Sequence, residues 1–248
     1  MNTDTLDRIE QRAIFALRTG TPFSAIRLGD GEGRLLAWPG RITRPELDNR
    51  LCYWFGHADL TDLEALMLKV DLMRAMFGAD VVGCYQGEER NRWWREAATR
   101  VALLRTYKPE VMLAGNDLHR ELWASGGLDR IIAEASRVVL VTCRDVCDRF
   151  QERYGQAPDW IVVPEEAHAS GQINDHWQLY QGGYKTAIVK RIKPGVLTLV
   201  GAGVLGKVYC HAVKMAGGVA LDIGSIFDGW AGRLDTRSYL GRKGGWRL

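Results

Sequence analysis

Carboxylates, glycines and a few cations gather at the ends of apolar runs in this chain of 248 residues. The sharpest group is Gly29-Asp30-Gly31-Glu32-Gly33. Carboxylates at i and i+2 in a glycine-relaxed loop can both turn toward one hard cation, which prefers oxygen ligands and keeps sites for water and diphosphate oxygens. The same glycines also suit a plain tight turn. Arg27, just upstream, is equally able to fork onto a phosphate or to serve as an ion-pair partner. The second group is Gly201-Ala202-Gly203-Val204-Leu205-Gly206, between a strand-like run at 196–200 and a helical run to Met215. With Asp222 about 20 residues on, where a ribose-binding acid would sit, this is the context of a dinucleotide fingerprint. Taken alone it suggests an NAD(P)-dependent oxidoreductase, but too little chain follows Gly206 to complete the second half of such a fold. The glycines could instead bring backbone N–H groups at a helix N-terminus to any diphosphate, or simply pack a helix against a strand.

Other polar residues fall at strand ends: Asn116 and Asp117; Glu165, Glu166 and His168; Asp222, Ser225 and Asp228. Singly, each is an ordinary cap or turn former. Ligands of an open parallel sheet bind outside the carboxyl ends of its strands, so their number at that edge points to a site there. His168 and His176 flank Gly171-Gln172-Ile173-Asn174, a loop suited to substrate contact. No Gly-x-Ser-x-Gly and no P-loop is present, which disfavours hydrolase and NTPase chemistry. Five cysteines without a C-x-x-C pair support neither a disulfide framework nor a zinc finger. Most of the nine tryptophans are expected in the core.

The elements that must position these residues alternate. Leu6, Ile9, Ala13 and Leu17 have helical spacing and end at Gly20, a glycine C-cap. A Pro-led helix starts near Pro45, and Thr61-Asp62-Leu63-Glu64 is a capping box for a helix that stops near Gly78. Strands are expected at 23–28, 81–84, 111–114, 138–143, 160–163, 196–200 and 219–223. Strands separated by helical stretches imply an α/β fold: a single Rossmann-like domain over 1–248, its sheet mainly parallel with helices on both faces. No repeat or linker divides it. Residues 238–248 are expected to form a flexible basic tail suited to an anionic ligand or lipid surface.

Composition is that of a globular protein, 46% hydrophobic and 25% charged. A net charge of +3 is too balanced for electrostatic nucleic-acid binding. No apolar run is long enough for a membrane span, and the charged start of the chain is unlike a secretory signal. A cytoplasmic location is expected, with peripheral contact at the inner face of the cell membrane.

Three blocks carry a family likeness: Phe23-Ser24-Ala25-Ile26-Arg27-Leu28-Gly29-Asp30-Gly31-Glu32, then Leu199-Val200-Gly201-Ala202-Gly203, then Gly217-Gly218-Val219-Ala220-Leu221-Asp222-Ile223-Gly224-Ser225. Together they resemble the GT-D type glycosyltransferases of bacteria. The resemblance implies transfer of a sugar from a nucleotide-sugar donor to a glycan, glycoprotein or lipid-linked acceptor, with Asp30 and Glu32 holding Mn²⁺ or Mg²⁺. On this reading Gly29, Asn116, Gly201, Gly203, Asp222 and Ser225 contact the donor, and Arg27, Lys207 and Arg237 clamp its diphosphate. Ser225 stands where the family often has His. Asp228 and Glu165 are the candidates for the base that deprotonates the acceptor hydroxyl. A non-catalytic nucleotide-sugar-binding protein is the third reading.

Overall fold

In the computed structural model, residues 3–85, 92–234 and 236 are described. Helix α1 (Thr3–Thr19) ends at Gly20, whose φ of +68° is the left-handed cap expected there. Strand β1 (Phe23–Arg27) leads into α2 (Asp30–Ala37), α3 (Arg44–Phe55) and α4 (Asp62–Gly78). The capping box forms as expected: Thr61 accepts from the Glu64 N–H, and Glu64 accepts from the Thr61 N–H at 2.8 Å. Alternation then sets in with β2 (Val81–Cys84), α5 (Arg92–Tyr107), β3 (Met112–Gly115), α6 (Leu118–Ala124), α7 (Gly127–Ala133) and β4 (Arg137–Thr142). Next come α8 (Cys147–Tyr154), β5 (Asp159–Val162) and the short α9 (Ala167–Ser170) and α10 (His176–Leu179). A π-turn at Tyr180–Tyr184 joins α10 to α11 (Lys185–Val189), and β6 (Val196–Gly201), α12 (Gly203–Met215), β7 (Val219–Asp222) and α13 (Ile226–Trp230) complete the order.

All seven expected strands form one sheet, β3-β2-β1-β7-β6-β4-β5, and every pairing is parallel. Alternating side chains divide between two cores, as a sheet covered on both faces requires. Val139 and Val141 pack with Ile26, Val82, Leu51, Leu68 and Tyr209 on one face. Val138 and Leu140 pack with Ala25, Leu199, Ile9, Ile131 and Trp230 on the other. Trp38, Trp54, Trp123, Trp177 and Trp230 are buried, in line with the core expectation. No helix among the described residues is long and apolar enough to cross a membrane.

One local expectation is corrected. Gly29-Asp30-Gly31-Glu32-Gly33 is the start of α2, with Gly29 as N-cap, and Asp30 and Glu32 stand in the first helical turn. Glycines weaken a helix interior, but two contacts compensate. The Glu32 carboxylate accepts the Gly29 N–H at 2.7 Å. Gly31 meets Trp54 so closely that a Cβ would lie 2.8 Å from the indole. The glycines admit neighbours and do not loosen a loop.

Candidate functional site

From β1 the chain order steps to β2 on one side, while β7 lies on the other, so the crevice of this sheet opens at the carboxyl ends of β1 and β7. A cavity of about 370 Å³ lies there. It is lined by Arg27, Gly29, Asp30, Glu32, Asn116, Glu165, Gly201, Gly203, Lys207, Asp222, Ser225 and Asp228, all expected from the sequence. Arg237 lies outside the described residues.

The floor is a buried charge network. Arg27 donates through Nε to the Asp222 carbonyl at 3.0 Å and through Nη2 to Asp222 Oδ1 at 3.1 Å. Lys207, one turn into α12, places Nζ 2.9 Å from Glu32 Oε1 and 3.3 Å from Asp222 Oδ2, and donates to the Gly203 carbonyl at 3.0 Å. Burial alone would push the Glu32 carboxyl up, but Lys207 and the Gly29 N–H hold it below its ordinary value. Asp222 is likewise depressed: burial opposes this, and Arg27 and Lys207 override it. The Lys207 ammonium is pushed down by burial and more strongly up by Asp222 and Glu32. Two glycines make room for this network. A Cβ on Gly224 would lie 2.3 Å from Arg27 Nη2, and one on Gly83 would lie 3.1 Å from Arg27 Cγ.

A second network forms the wall. Arg144 holds Asp228 through Nε at 2.7 Å and Glu165 through Nη2, so the two candidate bases share one guanidinium. Asp228 also accepts from Thr236 at 2.9 Å. Opposite, Arg50 donates to Asp30 at 2.8 Å and lies 4.6 Å from the centre of the Tyr53 ring, which stacks on His168 at 3.7 Å. His119 is buried, and Arg27 Nη1 lies 3.2 Å from its Nε2. Burial first, then Arg27, Arg120 and Lys207, drive its pKa well below the ordinary imidazole value. The neutral ring therefore accepts at Nε2 and carries its proton on Nδ1, a tautomer inferred from the partner.

Arg144, Arg50, His119 and Tyr53 are the functional residues that sequence reasoning missed, whereas His168, singled out beyond the end of β5, does line the cavity and stacks on Tyr53. Arg144 had a signal, since it follows the end of β4 as Glu165 follows β5. Arg50 had none: it sits inside α3, away from any strand end, and reaches the cavity only through tertiary packing. The glycine loop is explained chiefly by packing. A Cβ on Gly201 would meet Phe227 at 2.6 Å, one on Gly206 would meet Val200 at 3.3 Å, and Gly203, at φ +55°, faces Glu166. Asp222, 6% exposed and bound to two cations, is not presented to a ribose.

The carboxylates expected to hold Mn²⁺ or Mg²⁺ already have partners. Glu32 commits one oxygen to Gly29 and the other to Lys207, and Asp30 commits one to Arg50. Among the described residues no three His, Cys, Asp or Glu side chains gather in a metal-binding group. A divalent ion needs several oxygens free of other cations. Arranged in this way, Asp30 and Glu32 do not fit it, because Arg50 and Lys207 already supply the neutralising charge.

No curated protein matches the sequence. Two solved structures share the fold, each covering 94% of this chain and 86% of the other. One is a selenomethionine-substituted structure of domain of unknown function 1792, with a TM-score of 0.50 and 13% identity. The other, at 0.51 and 14%, is described as showing that this highly conserved domain has a distinct glycosyltransferase fold. Such identities speak for fold alone. A family model for the GT-D fold-like domain matches residues 4–230. With most of its length matched in this way, the chain belongs to the family of GT-D fold-like domains.

Proposed function

We propose that the chain is a glycosyltransferase that moves a sugar from a nucleoside-diphosphate donor to an acceptor hydroxyl. The observation that carries this reading is the cavity at the β1–β7 crevice of a GT-D fold, lined by Arg27, Arg50, Arg144 and Lys207 together with Gly203 at the N-terminus of α12. Breaking the bond from sugar to diphosphate builds negative charge on the leaving oxygens. The first N–H groups of a 13-residue helix favour that charge, and the four cations, each paired with a carboxylate here, can turn a further N–H toward it. The Tyr53–His168 stack offers a ring face to the nucleobase.

Of the two candidate bases, Glu165 is the better placed. It lines both this cavity and the neighbouring one, whereas Asp228 is tied to Thr236 as well as Arg144. In this reading Glu165 takes the acceptor proton, and Asp228 positions Arg144. A divalent cation could take Glu32 as a ligand only after that carboxylate released Lys207.

Release of nucleoside diphosphate from a panel of nucleotide sugars tests the reading. Glu165→Gln should lower transfer by about 10²–10⁴-fold, the usual worth of a positioned acid or base, while nucleoside-diphosphate binding is kept. Unchanged transfer in that variant would remove Glu165 from the role. Binding without any turnover would favour a nucleotide-sugar-binding protein.

A further inference from the structure

Beside the donor cavity lies a larger one of about 740 Å³, and Pro164 and Glu165 line both. The loop at 171–175 forms part of its wall and is fixed in place. Asn174 Nδ2 donates to the Trp54 carbonyl at 2.8 Å and the Glu165 carbonyl at 2.9 Å, and its N–H donates to the Phe55 carbonyl at 3.0 Å. Gly56, at φ +80°, lets Ile173 approach so closely that a Cβ there would meet its Cα at 2.7 Å.

The lining differs from that of the donor cavity, where arginines and a lysine stand among the carboxylates they pair with. It contains Asp59, Glu64, Glu165 and Asp175 and no Lys or Arg. The amide side chains of Gln172 and Gln178 face it with the Asp175 carboxylate, and none of these three side chains has a partner among the described residues. Ile173, 72% exposed, adds an apolar surface. Carboxylates accept from hydroxyls and amides both accept and donate, an apolar face suits the C–H side of a sugar ring, and a phosphate would meet four carboxylates with His57 as the one side chain there able to carry positive charge.

We propose that this cavity is the acceptor site and that it takes an uncharged sugar unit. The proposal rests on the transferase reading and adds the class of acceptor to it. An acceptor hydroxyl reaching past Pro164 meets Glu165 at the junction. Its oxygen bonds to the anomeric carbon, and the bond from that carbon to the diphosphate breaks with its electron pair leaving on the diphosphate. The hydroxyl proton passes to the Glu165 carboxylate.

Saturation-transfer NMR on the whole chain tests this, with methyl glycosides as neutral probes, hexose 6-phosphates as anionic probes and nucleoside diphosphates as probes of the donor cavity. Wild type should saturate a methyl glycoside and no hexose phosphate. Asp175→Lys and Gln178→Trp, both at exposed positions, should each cut the glycoside signal at least about fivefold at an unchanged melting temperature, with nucleoside-diphosphate binding untouched. Glycoside signals that are absent in wild type, or equal in wild type and both variants, would overturn the proposal, as would a preference for hexose phosphates. Glycoside binding that the variants abolish, in a chain that binds no nucleoside diphosphate, would keep the cavity's chemistry and sink the transferase reading instead.

Discussion

Replacing Lys207 with Met removes the one ammonium that stands between Glu32 and Asp222. The two carboxylates are both 6% exposed, at 2.9 and 3.3 Å from Nζ. Asp222 keeps Arg27, but Glu32 keeps only hydrogen bonds from backbone N–H groups. Leaving a buried charge uncompensated costs about 3–5 kcal/mol. In a chain of this size each kcal/mol is worth about 2–4 °C, so the melting temperature should fall by about 6–20 °C. The loss has a pH signature. Without Lys207, burial raises the Glu32 pKa above its unfolded value, so the folded variant gains a proton as pH falls and its deficit against wild type narrows between pH 7 and 5. Adding Glu32→Gln to Lys207→Met should recover part of the stability by removing the buried charge. Scanning calorimetry at both pH values checks this. A fall below about 2 °C, or a deficit that does not change with pH, would refute the argument that Lys207 is the internal counter-charge.

Burial lowers the His176 pKa to about 4, so the unfolded chain, titrating near 6.5, takes the proton first. Stability should therefore fall as pH drops from 6.5 toward 4, by about 3 kcal/mol from this group, and His176→Asn should flatten that slope in urea melts. Gly203→Ala should cost about 1–2 kcal/mol from the left-handed backbone alone, before Glu166 is displaced; chemical denaturation measures it, and a neutral result would show that the loop relaxes. Nucleoside-diphosphate affinity by calorimetry should be the same in EDTA and in Mn²⁺. A strict Mn²⁺ requirement would mean that Lys207 leaves Glu32 when donor binds.

All seven strands were legible because each is a short apolar run bounded by turn formers, and burial on both faces of a parallel sheet demands such runs. The helix at Asp30 was not legible. Its glycines read as a turn, and what makes them helical is tertiary: Trp54 against Gly31, and α5 packed against α2. The spacing allowed one cation between Asp30 and Glu32 and the resemblance implied it, whereas in the structure Asp30 pairs with Arg50 and Glu32 with Lys207, 20 residues and more away in the chain. Strand-end logic found Arg27, Glu165, Asp222 and Asp228 and, applied to β4, would have found Arg144. The Gly171–Asn174 loop was singled out for substrate contact, and it walls the larger cavity.

The most direct measurement is turnover of a nucleotide-sugar panel by the whole chain, followed as nucleoside-diphosphate release, with NADH as competitor. The account predicts that at least one nucleotide sugar is consumed, that Glu165→Gln abolishes consumption while leaving nucleoside-diphosphate affinity intact, and that NADH does not compete. Tight NADH binding in a chain that ignores every nucleotide sugar would contradict it.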